Sequence, residues 1–339
     1  MKLALSGRTL IVQPLPGIGD MIWHLPHIHA IAATTMEGRV DLLTKPRSQA
    51  DRLLRADPSV GQILWLEREA GRHAGPRGLL RLAALLRRQG YQRAWFLHGS
   101  ARYVLAARLA GIPERIGYGV GLQSLLLNKP ARLPPSLRHA HPIARADALL
   151  DGLGIIIARA ESEPRLAVDP SAEQAVVGRF APWPTPWIAL GIGSSEPWKQ
   201  WGAARFTELT LALHRRRIGS IFIVGGPAER MLADEMLARV WADGATAADA
   251  VALPLEQTAA LLGRCRVYIG NDTGVLNMAA ALQVPAVGLF GGSMPLTHSH
   301  FIHAITPPPG ERGMAAITVP RVLETLARLS WPDETCHAP

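Results

Sequence analysis

The chain has 339 residues, 48% of them hydrophobic, and a formal charge of +9. That length is a prior for two domains of ordinary size, and the apolar content suffices for two cores. No uninterrupted apolar run reaches 18 residues, which argues against a membrane-spanning helix. Aromatic residues at 6% and the lack of any nucleic-acid-binding signature argue against RNA or DNA as a partner.

The opening "MKLALSGRTLIVQPLPGIGD" has no long apolar core and no small-residue cleavage site, so no secretory leader is expected. Thr9–Pro14 reads as a strand and Asp20–Ala33 as a helix. The Gly17-Ile18-Gly19 turn between them invites a dinucleotide reading. It fails, because the third glycine position holds Ile22 and Asp41 starts its strand instead of ending it. What remains is Asp20. It either caps the helix, which would lower its pKa, or acts as a general base towards a hydroxyl.

Val40–Thr44 is the next strand, Leu79–Gln89 a helix, Ala94–Gly99 a strand and Arg102–Ala110 a helix. The helix 79–89, with Arg77, Arg81, Arg87 and Arg88 on or beside it, is basic and amphipathic; it is either a solvated face or a membrane-surface contact. The histidines His24, His27, His29, His139 and His141 lack the cysteine or paired-acid spacing of a zinc site, so no metal is expected.

Three prolines and two tryptophans in Arg179–Trp187 forbid helix interior and central strand, so 179–186 is expected to be a linker. The expected domains are 1–178 and 187–339. The second half repeats the alternation. Strands are expected at Trp187–Gly193, Ser220–Gly226, Val267–Gly270 and Pro285–Gly291. Helices are expected at Ala203–Arg216, Ala228–Val240, Gln257–Cys265, Val275–Leu282 and Pro320–Leu329. This is α/β grammar with parallel strands, in two doubly wound domains facing each other across a cleft. In such sheets ligands sit at the carboxyl ends of strands.

Three loops of the second half have the right chemistry. "GIGSSEPWKQW" offers Ser194 and Ser195 hydroxyls and the Lys199 cation, a phosphate cradle in parts but not a Walker loop; the alternative is a surface turn with a solvated lysine. "GGPAER" puts Glu229 in a first helical turn, where it either complements the helix dipole or accepts ribose hydroxyls. "GNDTG" offers open amides around Thr273 and Gly274 for an anion. Its Asp272 either caps the following helix or accepts a sugar hydroxyl.

Only Lys2, Lys45, Lys129 and Lys199 are lysines among 36 basic residues. A coding bias towards arginine and alanine accounts for most of the charge, and the excess still favours acidic partners. Two cysteines, Cys265 and Cys336, make neither a disulfide framework nor a metal cluster and suit a reducing cytoplasm.

Taken together, "GIGDMIWHLPHIHAIA", "LAARLAGIPERIGYG", "GSSEPWKQWGAARFTELTLAL", "GGPAE", "IGNDTGVLNMAAALQVPAVGLFG" and "ITVPRVLETL" resemble, in order and over nearly the whole chain, the heptosyltransferases of glycosyltransferase family 9. The resemblance implies a GT-B fold and metal-independent, cofactor-free, inverting transfer of heptose from ADP-heptose to an inner-core lipopolysaccharide hydroxyl. It places the work at the cytoplasmic face of the inner membrane, with a nucleotide-sugar donor and a glycolipid acceptor as partners, and leaves the last helix free to pack back towards the first domain.

Residue by residue, the resemblance implies Asp20 as base and Lys199, with Ser194 and Ser195, on the departing diphosphate. Glu229 falls on the ribose, Asp272 and Asn277 on the donor sugar, and the Thr273 and Gly274 amides on phosphate. Gly19, Arg102 and Arg115 are the acceptor-side candidates. Three departures stand out: Asn277 where many members have histidine, Gly292-Ser293-Met294-Pro295 for the common P-T-D/S-P, and no cysteine around Gly313-Met314. A transferase using another nucleotide sugar, or a non-catalytic nucleotide- or glycolipid-binding module, are the alternatives.

Overall fold

The structure is a computed structural model that describes residues 7–68, 71–158, 161–295 and 298–329. Cys336 lies outside the described residues. The chain divides into two compact units, Met1–Ala167 and Val168–Pro339.

In the first unit the order is β1 (Thr9–Val12), α1 (Ile18–Trp23), α2 (Leu25–Ala32), β2 (Val40–Thr44), α3 (Ala50–Leu53) and β3 (Val60–Trp65). It continues with α4 (Gly75–Gln89), β4 (Arg93–Phe96), α5 (Ala101–Ala110), β5 (Glu114–Gly117), β6 (Lys129–Pro130) and α6 (Pro142–Asp151). The strands form one sheet in the order β3-β2-β1-β4-β5-β6, and every pairing is parallel. β1, β2 and β4 are buried along their whole length, the mark of a parallel sheet covered on both faces. Leu10, Val12, Leu43 and Phe96 pack there with Leu82 and Leu86 of α4 and Val104 of α5.

The helix expected over 20–33 is two helices. Pro26 has no N–H to donate to the Ile22 carbonyl, so the run breaks at His24 and restarts with proline in the first turn. β3, β5 and β6 escaped sequence reading: β3 and β6 are the edge strands, and β5 is fully covered only at Ile116 and Gly117. β3 alternates buried and exposed positions weakly, and β6 is two residues long.

The second unit contains α7 (Pro170–Phe180), β7 (Trp187–Gly191), α8 (Ala203–Arg215), β8 (Ser220–Gly225), α9 (Arg230–Ala242) and β9 (Ala248–Val251). Then follow α10 (Leu255–Gly263), β10 (Cys265–Asn271), α11 (Gly274–Ala281), β11 (Ala286–Leu289), β12 (Ile302–Ile305) and α12 (Val319–Arg328). Its sheet runs β12-β11-β10-β7-β8-β9, again all parallel.

The division between units falls before the proline-rich stretch. α7 packs on α10, and its last residue, Phe180, meets the rings of Trp187 and Phe222 edge-on. The apolar face of α12 (Val319, Val322 and Leu326) lies in the second unit's own core beside Phe206 and Val287.

Candidate functional site

Each sheet reverses its strand order once. In the second unit β7 leads to β8 and β9 on one side, and the chain then returns to place β10 on the other. The loops that leave β7 and β10 therefore diverge at their carboxyl ends and open a crevice between them. Those loops are Ile192–Trp201 and Asp272–Thr273, the two segments whose composition suggested an anion site.

They are locked together by Asn271, a fully buried residue at the end of β10. Its amide nitrogen donates to the carbonyls of Ile192 (3.2 Å) and Gly193 (3.0 Å) and to Gln200 Oε1 (3.1 Å). Its Oδ1 accepts the Trp201 amide at 3.2 Å. Trp201 is anchored in turn by its indole N–H on the Ile317 carbonyl, 2.7 Å. Nothing in a lone asparagine before an aspartate distinguishes such a clamp from a turn residue.

Lys199 Nζ then reaches Asp272 Oδ2 at 2.6 Å, and Ser293 Oγ donates to the same oxygen at 2.7 Å. Both members of the ion pair are largely buried, 20% and 12% exposed at the side chain. The Lys199 ammonium also stands 5.1 Å above the half-exposed Trp198 ring. Trp198 leans on Gly292, where an added Cβ would come within 2.8 Å of the ring.

Asp272 does not cap α11. The cap position is Thr273, with extended backbone and no side-chain capping hydrogen bond, so among the described residues the first amides of a buried helix have no side-chain acceptor. The two readings of "GNDTG" are thereby separated: the carboxylate faces the crevice and the amides stay open. Asn277, one turn on and buried, directs its Nδ2 to the Thr273 carbonyl at 3.1 Å. Ser293, which joins the cluster from the loop after β11, was not among the sequence candidates. Only its place in the P-T-D/S-P alignment hinted at it.

Ser194 Oγ is held on the Glu196 carbonyl at 2.7 Å, whereas Ser195 is exposed. Glu229, after β8, accepts the Gly226 amide at 2.8 Å and lies beside Gly193 of the β7 loop. The crevice thus gathers Lys199, Asp272, Ser293 and open helix amides at its centre, with Glu229 on the β8 side.

The first unit repeats one part of this construction. At the carboxyl end of β1, Asp20 Oδ2 accepts the Gly17 amide at 2.8 Å, the same glycine-to-acid turn as Gly226–Glu229. Capping is therefore real. Even so, burial pushes the Asp20 carboxyl above its ordinary value, against the downward pull of the Gly17 amide and of His141. A carboxyl raised in this way, in the first turn of α1, is a stronger proton acceptor than a free one.

Behind Asp20, His24 is fully buried with Nδ1 2.8 Å from the Asp20 carbonyl. Burial, with His27 adding like charge, lowers its pKa to about 3, so it is neutral there. His27 pairs with Asp147 (2.8 Å) and His29 with Asp57 (2.7 Å). Among the described residues no group of three His, Cys, Asp or Glu is arranged to hold a metal ion.

The acceptor-side candidates are placed differently. Gly19 is buried within α1. Arg102 donates to the carbonyls of His73 and Gly75, both at 2.7 Å. Arg115 donates to those of Ile112 (2.6 Å), Leu126 (2.9 Å) and Pro113 (3.2 Å). Both guanidinium groups brace the protein's own loops. On α4, Arg87 donates to the Leu109 carbonyl, while Arg77, Arg81 and Arg88 are exposed. Cys265 is buried and its thiol pushed up by that burial.

Residues 79–306 match the family described as glycosyltransferase family 9 (heptosyltransferase). The chain is 28% identical over 298 residues to lipopolysaccharide heptosyltransferase 2 of Salmonella typhimurium, covering 85% of this chain and 84% of that protein. Among solved structures it is similar to the ADP-heptose LPS heptosyltransferase II of E. coli. There the TM-score is 0.74 at 25% identity, with 95% of this chain and 98% of that one covered. It also shares the fold of a family 9 glycosyltransferase from Veillonella parvula, with a TM-score of 0.80 at 21% identity over 97% and 98% of the two chains.

Proposed function

The chain belongs to glycosyltransferase family 9, and from that membership we propose that it transfers a heptose from ADP-heptose to a hydroxyl of a lipopolysaccharide inner-core acceptor. One observation carries the donor side of this reading. Lys199 and Ser293 converge on one Asp272 oxygen at the strand-order reversal, beside helix amides that no side chain caps among the described residues. That crevice offers a cation and N–H donors to a diphosphate, and a carboxylate to sugar hydroxyls, without calling on a metal. The relatives, an ADP-heptose LPS heptosyltransferase and a lipopolysaccharide heptosyltransferase, support the choice of donor and acceptor.

The transfer follows from the placement of charge. The acceptor oxygen attacks the anomeric carbon from the face opposite the diphosphate. The new C–O bond forms as the bond to the diphosphate oxygen breaks, and the configuration inverts. Asp20 takes the acceptor proton, a role its raised pKa favours. Lys199 turns from Asp272 to the departing diphosphate, assisted by Ser194, Ser195 and the Thr273 and Gly274 amides. Glu229 accepts ribose hydroxyls, and Asp272 and Asn277 meet the heptose. Work at the cytoplasmic face of the inner membrane is consistent with a chain in which no described helix is long and apolar enough to cross a bilayer.

The test is a thermal-shift and turnover screen of ADP-, UDP-, GDP- and dTDP-sugars. A ligand that binds only the folded state raises Tm by mass action. The reading expects the largest shift with ADP-heptose and release of ADP only when acceptor is added. A larger shift with another nucleotide sugar would instead favour a related transferase, and binding without turnover a non-catalytic module.

A further inference from the structure

Trp198 is 52% exposed, a large apolar surface left in water beside a charged cluster. It belongs to the short 3₁₀ turn Pro197–Lys199. Its loop does not need it as an anchor. Asn271 already fixes that loop at both ends, through the Ile192 and Gly193 carbonyls, Gln200 and the Trp201 amide. Trp201, three residues on and 1% exposed, supplies the packing, edge-on against Phe206.

What the Trp198 ring touches belongs to the site. One contact is the Lys199 ammonium, 5.1 Å from the ring centroid and within the reach of a cation–π attraction. The other is Gly292, where an added Cβ would stand 2.8 Å from Cε3 and 2.9 Å from Cζ3. The φ of Gly292 lies outside the left-handed region, so its backbone does not call for glycine. The close approach of the ring does. Gly292 directly precedes Ser293, whose hydroxyl donates to Asp272, so one ring bridges the loop that carries the cation and the loop that supports the carboxylate.

A ring and a carboxylate are different partners for an ammonium. Asp272 neutralises Lys199 and has to be left before the cation can serve another anion. The negative face of an indole attracts the ammonium without cancelling its charge. It is a partner that an incoming diphosphate does not displace, and it narrows the freedom over which a lysine side chain is ordered.

We propose that Trp198 is a positioning residue: seated on Gly292, its ring holds the Lys199 ammonium in the crevice while the cation exchanges Asp272 for a diphosphate. The inference rests on the transferase reading for the nucleotide sugar to which that diphosphate belongs, but the seating of the ring on Gly292 and Lys199 does not.

The test measures binding of ADP, inorganic pyrophosphate and adenosine by calorimetry. Trp198→Ala should weaken ADP and pyrophosphate about three- to tenfold, the range of a partly desolvated cation–π contact, and leave adenosine affinity and Tm unchanged. Trp198→Phe should restore much of the loss, whereas Trp198→Leu, which keeps apolar bulk without a π face, should not. Gly292→Ala displaces the ring and should reproduce the loss, and the double variant with Trp198→Ala should lose no more than Trp198→Ala alone. Full affinity in Trp198→Ala, equal losses for adenosine and the two phosphates, rescue by leucine, or additive losses in the double variant would overturn the proposal. Trp198-dependent binding of pyrophosphate that gains nothing from the adenosine of ADP would sink the nucleotide-sugar reading alone.

Discussion

Replacing Asn271 by aspartate keeps the shape of the side chain and reverses its hydrogen-bonding sense. The amide nitrogen now donates into the carbonyls of Ile192 and Gly193 and into Gln200 Oε1 from a fully buried position. A carboxylate oxygen in its place would face three acceptors with no proton between them. Losing two N–H bonds costs about 1 kcal/mol each, and stranding their buried acceptors adds about 1–3 kcal/mol more. Asn271→Asp should therefore lose about 3–5 kcal/mol of unfolding free energy at pH 7, a large share of a typical domain's total.

The pH dependence has a definite sign. The buried carboxyl is expected to have a pKa above its unfolded value, because burial and the facing carbonyls oppose its charge. Stability relative to wild type is then best below the unfolded carboxylate pKa of about 4 and falls as pH rises towards the folded value. Denaturant unfolding of both proteins between pH 4 and 8 measures this, and ADP titration reports whether the two loops still meet. An Asn271→Asp protein within about 1 kcal/mol of wild type at pH 7 would refute the clamp.

Asp20→Ala should reduce turnover by at least about a hundredfold, the lower range for a lost general base, while ADP affinity is retained; retained turnover would remove Asp20 from the reaction. With Asp20 as the proposed base, the acid limb of kcat/KM in wild type should lie above the ordinary carboxylate range, because a base acts deprotonated and burial raises this carboxyl's pKa; a limb at or below that range contradicts the proposal. Lys199→Ala should weaken ADP binding about tenfold or more, the order of a lost charge-assisted hydrogen bond, and the loss should shrink at high salt. His24 has its folded pKa lowered to about 3, so it contributes stability above its unfolded pKa of about 6.5. That contribution is lost as pH falls towards 3, at up to about 1.4 kcal/mol per pH unit, and His24→Asn should flatten this part of the curve in urea unfolding.

Much of the fold was legible because parallel strands buried on both faces write themselves as apolar runs. Thr9–Val12, Val40–Thr44, Trp187–Gly191 and Ser220–Gly225 were all readable in this way. β3, β9 and β12 were not, since an edge strand is paired on one side only and its half-covered or exposed positions interrupt the apolar run. The break at His24 was foreseeable from Pro26 alone.

At the site, spacing identified the loops and left every acid ambiguous between cap and ligand contact. The two outcomes differ for a physical reason. Asp20 and Glu229 sit three residues after a glycine whose amide they can reach, and both accept it. Asp272 directly precedes the cap residue Thr273, and it turns to Lys199, 73 residues away, and to Ser293.

The amino-acid sequence by itself determined the class of fold, the alternation of strand and helix over much of the chain, the family and the candidate loops. Those properties follow from local periodicity, from glycine and proline positions and from short motifs, all of which act over a few residues. Tertiary structure alone decided which polar atoms meet. It assigned Asn271 to clamp two loops, brought Ser293 to Asp272 and engaged Arg102 and Arg115 on backbone carbonyls. Hydrogen bonding is settled by distance in space at the ends of strands that are far apart in the chain, and no local pattern encodes that distance.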